Sequence, residues 1–489
     1  MAYEPTWESV RQHPLPDWYE DAKLGVFVHW GLYSVPGWAP QVPDIQTMLV
    51  SDGPARMLSH NPYAEWYRNT MRVPGSPTER HHRETYGADF AYDDFIPMFD
   101  AGTAHCDLDA IAGLAAEAGA GYVVLTTKHH EGFALWPSAV PHPVKGEYHA
   151  RRDLVGGLTD AVRARGLRMG FYYSGGWDWP YNEVLLRHGA DIVLATPDDP
   201  RYLEYVTAHW RELIARYEPS LMWNDIGWPR DEDLAGLFAR YYDAVPDGVI
   251  NDRWVQPTFK ANRVSIALLR AAGRTVEAFW RFIPADRKRL TFPGARWYDF
   301  STPEYESLPD IREKKWESTR GVGHSFGANR NERPEDIVTA TELIRSLCDI
   351  VAKNGNLLIG VGPDGSGAIP EVQAAPLRGL GAWMAGNGDA LRGTRPWVTS
   401  SAETDDGTAV RFTVRDGVVH ALVLGRPGAA TFTVGGIDAA TVGEATLLAT
   451  GAAIERGQRD GVLTLTLPDA TPDDAAYAIR LGSGVQRLG

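Results

Sequence analysis

The sequence predicts an α/β fold: a (β/α)8-like (TIM) barrel over residues 1–392, followed by a small antiparallel β-sandwich over 393–489. Three observations predict it. Short apolar strand-like runs alternate with helix-like runs through the first part, as parallel β/α units do. All 17 tryptophans and both cysteines lie at or before Trp397, so the composition changes near Gly393–Trp397. Beyond that point apolar and polar residues alternate, as in Val410-Arg411-Phe412-Thr413-Val414, the period of a half-buried strand. At 489 residues the chain is also too long for one ordinary core.

The elements follow in order. Leu24–His29, Gly121–Thr127, Leu167–Ser174, Leu221–Asn224, Val249–Asn251 and Leu357–Val361 are short apolar runs suited to buried parallel strands. Between them, Asp107–Ala118 places Leu108, Ile111, Leu114 and Ala115 at helical spacing. Asp153 caps a helix bearing Leu154, Leu158 and Val162, and the segment after Pro200 aligns Leu203, Val206, Trp210, Leu213, Ile214 and Tyr217. Pro334–Ala352 reads as one long helix, and Val264–Pro284 has a helix-like apolar pattern. In the tail, Asp416-Gly417 and Asp460-Gly461 adjoin alternating runs and suit tight hairpin turns. Gly362-Pro363-Asp364-Gly365-Ser366-Gly367 lacks a P-loop lysine, and no nucleotide-binding glycine fingerprint follows a strand.

Bulk properties narrow the function. The apolar content of 44% and charged content of 23% are those of a globular chain. A net charge of −15, with no basic stripe, disfavours nucleic acid. No apolar run is long enough to span a bilayer, and Met1–Trp18 lacks the basic and apolar regions of a secretory signal. The expectation is a cytoplasmic protein with no membrane contact, with room for a homo-oligomer and, if a leader was removed, for secretion. Two cysteines, Cys106 and Cys348, make no disulfide framework, although they leave room for one bridge.

Asp225 is the leading candidate site residue. It ends the run Leu221-Met222-Trp223-Asn224-Asp225 and lies between Trp223 and Trp228. In a β/α barrel a carboxylate at the end of a strand faces the catalytic rim, and indoles suit the C–H faces of a sugar. The pattern suggests a glycosidase nucleophile; a loop-capping aspartate is the bland alternative. His29-Trp30-Gly31, Lys128-His129-His130-Glu131-Gly132 and Tyr172-Tyr173-Ser174 sit at other strand ends, which barrel geometry makes converge. Adjacent His129 and His130 point to opposite faces of an extended strand, and no helical His-Glu-x-x-His motif or cysteine cluster accompanies them, so sugar hydrogen bonding is favoured over a metal. Glu65 stands beside Trp66 in a Pro-marked loop, and Arg253 follows another strand. Arg253 can bond substrate or hold the nucleophile ionised. Glycoside hydrolysis needs a second carboxyl group, for which Glu65, Glu131, Asp178, Asp252 and Glu304 all remain open. Glu304 belongs to Ser301-Thr302-Pro303-Glu304-Tyr305, read as a polar loop.

Eight segments in order resemble the glycoside hydrolase family 29 α-L-fucosidases of bacterial type. They are Lys23–Ser34, Glu65-Trp66-Tyr67, Thr126–Phe133, Tyr172-Tyr173-Ser174, Trp223-Asn224-Asp225, Asn251-Asp252-Arg253-Trp254, Trp316–Gly321, and Asn354–Leu358 with Val361-Gly362-Pro363. The resemblance runs from about Trp18 to Trp397, and the tail fits the family's β-sandwich. It implies a retaining exo-hydrolase that releases L-fucose from glycans or glycosides without a cofactor or metal. Its nucleophile motif falls on Asp225 and its acid/base on Glu304; its sugar-binding positions fall on His29, Glu65, Trp66, His129, His130, Tyr172, Trp223 and Arg253. The sequence departs from the family at Glu131, where Asp is usual, at Ala328, where an aromatic is common, and in a long insertion near 255–298. A hydrolase of a related sugar such as an α-L-galactoside, or a non-catalytic fucose-binding protein, are the alternative readings.

Overall fold

Seven parallel strands form the first sheet of the computed structural model: β1 (Leu24–Val28), β2 (Tyr122–Lys128), β3 (Arg168–Ser174), β4 (Leu221–Asp225), β5 (Val249–Ile250), β6 (Trp316–Gly321) and β7 (Gly355–Val361), in the order β5-β4-β3-β2-β1-β7-β6. The described residues are 2–231, 233–257, 263–288, 294–468 and 474–488. The stretches 258–262 and 289–293 of the predicted insertion lie outside them.

The two open edges of this sheet are joined by residues 299–305. Asn251 bridges Phe300 on one side, and Ser301 and Glu304 bridge Trp316 and Thr319 on the other, all parallel. Asp299 N–H donates to Ile250 O at 2.9 Å, and Glu317 N–H and Thr319 N–H donate to Ser301 O and Pro303 O at 2.8 and 3.0 Å. The ladder is interrupted where Pro303 has no N–H to give. The stretch expected to be a polar loop is thus an irregular eighth stave, and it closes the barrel.

β1, β2, β4 and β7 are buried along their whole length, as strands covered on both faces must be. Phe27, Tyr122, Tyr172, Trp223, Phe300 and Leu358 come from different staves and share one apolar cluster. β6 contributes a carboxylate instead. Glu317 is fully buried; it accepts hydrogen bonds from Tyr19 Oη at 2.9 Å, Trp223 Nε1 at 3.1 Å and Tyr122 Oη. Its Trp-Glu-Ser-Thr-Arg sequence does not resemble a buried strand, and this strand was missed in the sequence.

The outer helices follow the expected patterns with one correction. Leu108–Glu117 and Leu154–Ala164 are N-capped by Asp107 and Asp153. The long helix expected from Pro334 begins instead at Ala340, after a separate turn at Pro334–Asp336. Thr339 and Glu342 form a reciprocal capping box that fixes this later start. No helix among the described residues is long and apolar enough to cross a membrane.

The tail forms an eight-stranded antiparallel sheet, folded over its own core. Its strands are β8 (Arg395–Glu403), β9 (Ala409–Arg415), β10 (Val418–Val423), β11 (Thr431–Asp438), β12 (Ala445–Leu447), β13 (Ala453–Arg459), β14 (Val462–Thr466) and β15 (Tyr477–Ser483). Asp416-Gly417 and Asp460-Gly461 turn the β9–β10 and β13–β14 hairpins with positive φ at both residues, as a type I′ turn requires. Trp383 Nε1 donates to Ala476 O at 2.9 Å and Arg395 pairs with Asp21 at 2.7 Å, tying the sheet to the barrel.

Glu317 gives a testable consequence. Burial pushes its carboxyl up to about 7, against the lowering effect of the Tyr122, Trp223 and Tyr19 hydrogen bonds. A carboxyl raised on folding binds its proton more tightly in the folded state, so its contribution is lost as pH rises from about 4.5 to about 7. Glu317→Gln should therefore gain stability relative to the native chain by roughly 3 kcal/mol across that window, from ~1.4 kcal/mol per pH unit. Denaturant unfolding of both proteins at pH 4.5 and 7 measures the difference; a pH-independent gap would contradict it.

Candidate active site

The C-terminal ends of the staves bring the candidate residues together. Side chains alternate along a strand, so Trp223 and Asp225 of β4 share one face while Asn224 points away. The same rule separates Tyr172 from Tyr173. Tyr172 Oη donates to Asp225 Oδ2 at 2.8 Å, whereas Tyr173 Oη meets His209 Nδ1 at 3.0 Å on the helix Pro200–Tyr217. After Asp225 the chain turns sharply through Ile226 and Gly227, both at positive φ. The loop after β3 rests directly on this turn: a Cβ on Gly176 would stand 1.9 Å from Ile226 O.

Arg253, just past β5, links two carboxylates. Its Nη1 lies 3.0 Å from Asp225 Oδ1 and 2.6 Å from Glu304 Oε1. Two oxygens at those distances from one nitrogen are at most 5.6 Å apart. The guanidinium is held from behind by Thr302, which takes Nε on its Oγ1 at 2.9 Å and Nη2 on its carbonyl at 3.0 Å. Its carbon stands 4.7 Å over the Trp223 ring. Burial opposes the charge on Arg253, yet Glu304, Asp225 and Asp252 outweigh burial and keep it more firmly protonated than usual.

The other carboxylates proposed from the sequence are occupied elsewhere or lie in a different part of the site. Asp252 Oδ1 accepts from Thr302 N–H and Oγ1 at 3.1 and 2.7 Å, fixing the support of Arg253. Asp178 is fully buried between Lys128 Nζ at 3.0 Å and His142 Nε2 at 2.9 Å. Burial would raise its carboxyl, but Lys128 and His142 prevail and hold it below the usual range. Glu131 accepts from Leu32 N–H at 2.9 Å and from Tyr92 Oη, so it fixes the loop after His29. Glu65 lies in the turn Ala64–Trp66 and accepts from Ser325 Oγ and Gly327 N–H, both at 3.0 Å. Burial pushes Glu65 up to about 7 despite those bonds. Only Glu304 among the five shares a cation with Asp225, and its side chain keeps 34% of its exposure.

Three histidines complete the polar lining; His129 and His130 lie past the end of β2 with their rings 3.9 Å apart, so they share the site and do not take the opposite faces expected of an extended strand. Burial lowers His29, His129 and His130 well below the ordinary range, with Lys128 adding to the effect at His129 and His130, so each is neutral. Ser174 Oγ donates to Trp177 O at 2.8 Å and so accepts from His130 Nδ1 at 2.7 Å. That leaves His130 Nε2, 3.9 Å from Asp225 Oδ2, as an acceptor for a hydroxyl. His29 Nδ1 and His129 Nδ1 are buried and lack a hydrogen-bond partner among the described residues. Buried polar atoms of this kind are expected to be met by a ligand or water.

Aromatic rings wall the same space. Trp66 stands edge-on to His130, Trp177 and Trp179 at 5.9, 5.6 and 5.9 Å. Phe326 packs over His29 at 4.8 Å. Trp177, Trp179 and Phe326 were missed in the sequence. The run Gly175-Gly176-Trp177-Asp178-Trp179-Pro180, directly after a strand end, was the available signal for two of them.

A family model described as "Alpha-L-fucosidase" matches residues 1–389. An α-L-fucosidase of Dictyostelium discoideum is 31% identical over 98% of this chain and 95% of its own length. The crystal structure of Thermotoga maritima α-fucosidase in complex with a mechanism-based inhibitor superposes with a TM-score of 0.82 at 37% identity, covering 98% of this chain and all of that one. The same enzyme in complex with fucose gives 0.81 at 36% identity, over 98% of this chain and all of its own. The chain belongs to the α-L-fucosidase family of glycoside hydrolases.

Proposed function

We propose that the chain is a retaining, exo-acting α-L-fucosidase in which Asp225 is the nucleophile and Glu304 the acid/base. One observation carries this reading: both carboxylates bond Arg253 Nη1, which limits the bonded oxygens to a separation of 5.6 Å. Retaining glycosidases place their carboxyl groups about 5–5.5 Å apart, whereas inversion needs about 6.5–9.5 Å to admit water. The complex of the Thermotoga enzyme with fucose supports the choice of sugar.

In the first step Asp225 attacks the anomeric carbon of a terminal fucosyl residue. Glu304 gives its proton to the departing glycosidic oxygen as that bond breaks. Arg253 only donates, so the Oε1 it meets is an acceptor and the proton rides on Oε2. The result is a β-L-fucosyl ester on Asp225. In the second step Glu304 takes a proton from water, whose oxygen attacks the same carbon and releases Asp225. Tyr172 and Arg253 donate to Asp225 and disperse its charge in both steps. Neutral His29, His129 and His130, together with Glu65, bond the sugar hydroxyls. Trp66 and Trp223 offer apolar faces to the ring and its methyl group, and fucosylated glycans or glycosides are the substrates.

Asp225→Gly should lower kcat on an aryl α-L-fucoside at least roughly a thousandfold. Turnover within tenfold of the native chain would remove Asp225 from this role. Glu304→Ala should be slow with poor leaving groups, and azide should restore turnover of an activated substrate by displacing Asp225 from the β-L-fucosyl ester, yielding α-L-fucosyl azide. Rescue seen with Glu65→Ala instead would reassign the acid/base. Arg253→Lys keeps the charge but loses the fork that meets Thr302, Asp225 and Glu304 together, so kcat/KM should fall by about a hundredfold. A near-native value would deny Arg253 its organising part.

A further inference from the structure

A fully buried ion pair lies behind the residues that face the sugar. Lys128 Nζ, at the end of β2, donates to Asp178 Oδ2 at 3.0 Å, and neither side chain has any exposed surface. The ammonium also lies 4.7 Å from the centre of the Tyr173 ring. The second oxygen of Asp178 accepts from His142 Nε2 at 2.9 Å. His142 Nδ1 takes the N–H groups of Val144 and Lys145 at 3.1 and 3.0 Å, so Nε2 is the nitrogen that carries the proton.

The two charges sit on the segments that build one wall of the pocket. Lys128 directly precedes His129 and His130, and Asp178 stands between Trp177 and Trp179. Two further links join the same segments. Trp179 N–H donates to His130 O at 2.8 Å, and Ser174 Oγ connects His130 Nδ1 to Trp177 O at 2.7 and 2.8 Å. Gly132 lies against the loop after β3, where a Cβ would stand 2.8 Å from Asp178 Oδ1 and 3.0 Å from Pro180 Cγ. Trp177 and Trp179 are themselves buried. Their ring centres lie 5.0 and 5.4 Å from His130 and 5.6 and 5.9 Å from Trp66, so the two indoles back the rings that meet the sugar.

Stability alone does not account for this pair. Taking two charges out of water can cost more than their attraction offsets, and apolar residues of similar volume often serve a core equally well. What apolar residues lack is direction: a charge-assisted hydrogen bond fixes both the separation and the orientation of the segments it joins. We propose that Lys128 and Asp178 are positioning residues for sugar recognition, holding the Trp177–Trp179 loop where it sets His130 and Trp66 around the fucose ring. The inference rests on the reading of His130 and Trp66 as sugar-binding residues. Both members of the pair are sealed from the pocket, so they act on binding and not on the chemical step.

Lys128→Met combined with Asp178→Asn, in the full chain, tests this. It removes both charges and keeps an acceptor for His142 Nε2. Circular dichroism checks folding, and Lys128→Gln with Asp178→Asn replaces the first variant if that one does not fold, with the same expected outcome. KM for an aryl α-L-fucoside and the calorimetric Kd of L-fucose should each rise at least about tenfold while kcat changes less than about threefold, the signature of binding lost equally from ground and transition states. A folded variant whose KM and Kd stay within about threefold of native, or one that loses kcat with KM unchanged, overturns the proposal. His130→Ala and Trp66→Ala are the references, and each should weaken L-fucose binding. If they do and the charge-free variant does not, the pair merely fills the core and this inference alone fails. If neither reference weakens binding, the sugar lies elsewhere, and the reading of the site fails together with the inference built on it.

Discussion

The site depends on one cation held between two carboxyl groups. Arg253 bonds Asp225 and Glu304 through the same nitrogen and is itself fixed by Thr302, so three staves are brought into register at a single point. The barrel makes this arrangement possible. Residues 299–305 reach Glu304 only because they pair with both β5 and β6, and that pairing also closes the sheet. Closure of the fold and placement of the second carboxylate are therefore one structural event. A half-buried guanidinium shared in this way is stable because its partners supply more favourable charge than burial removes.

Much of the site's surroundings is costly. Glu65, Glu131 and Glu317 are buried, and burial pushes each up to about 7. Each is accommodated by hydrogen bonds that position something else: Glu65 holds the loop carrying Phe326, Glu131 the loop after His29, and Glu317 the Trp223 indole. Three neutral histidines and a wall of indoles keep the same space free of other charge. The pattern is that of a site stiffened at some expense of stability, as binding sites commonly are.

The sequence revealed those parts whose local chemistry matched their place. Apolar strands such as Leu24–Val28 and Leu221–Asp225, capped helices and the two Asp-Gly hairpins were visible because propensity and tertiary role agree there. Strand Trp316–Gly321 was not, because its inward residue is a glutamate satisfied by two tyrosines and a tryptophan from other staves. The 299–305 stave was hidden by Pro303 and by a ladder too irregular to leave a period. Asp225, His29, the His129–His130 pair and Arg253 stood out at strand ends. Glu304 could not be separated from Glu65, Glu131, Asp178 and Asp252 by local sequence, since what distinguishes them is which partners each one meets in space.

The closeness of the two carboxylates is the central claim, and the stereochemistry of the first product reads it directly. Proton NMR of the sugar released from an aryl α-L-fucoside, recorded before mutarotation, shows which anomer forms first. Carboxylates sharing Arg253 Nη1 leave no room for a water on the far face of the sugar, so α-L-fucose should appear first and the β anomer only later. Initial formation of β-L-fucose would mean direct displacement by water, and the arrangement around Arg253 would not be the one that performs the reaction.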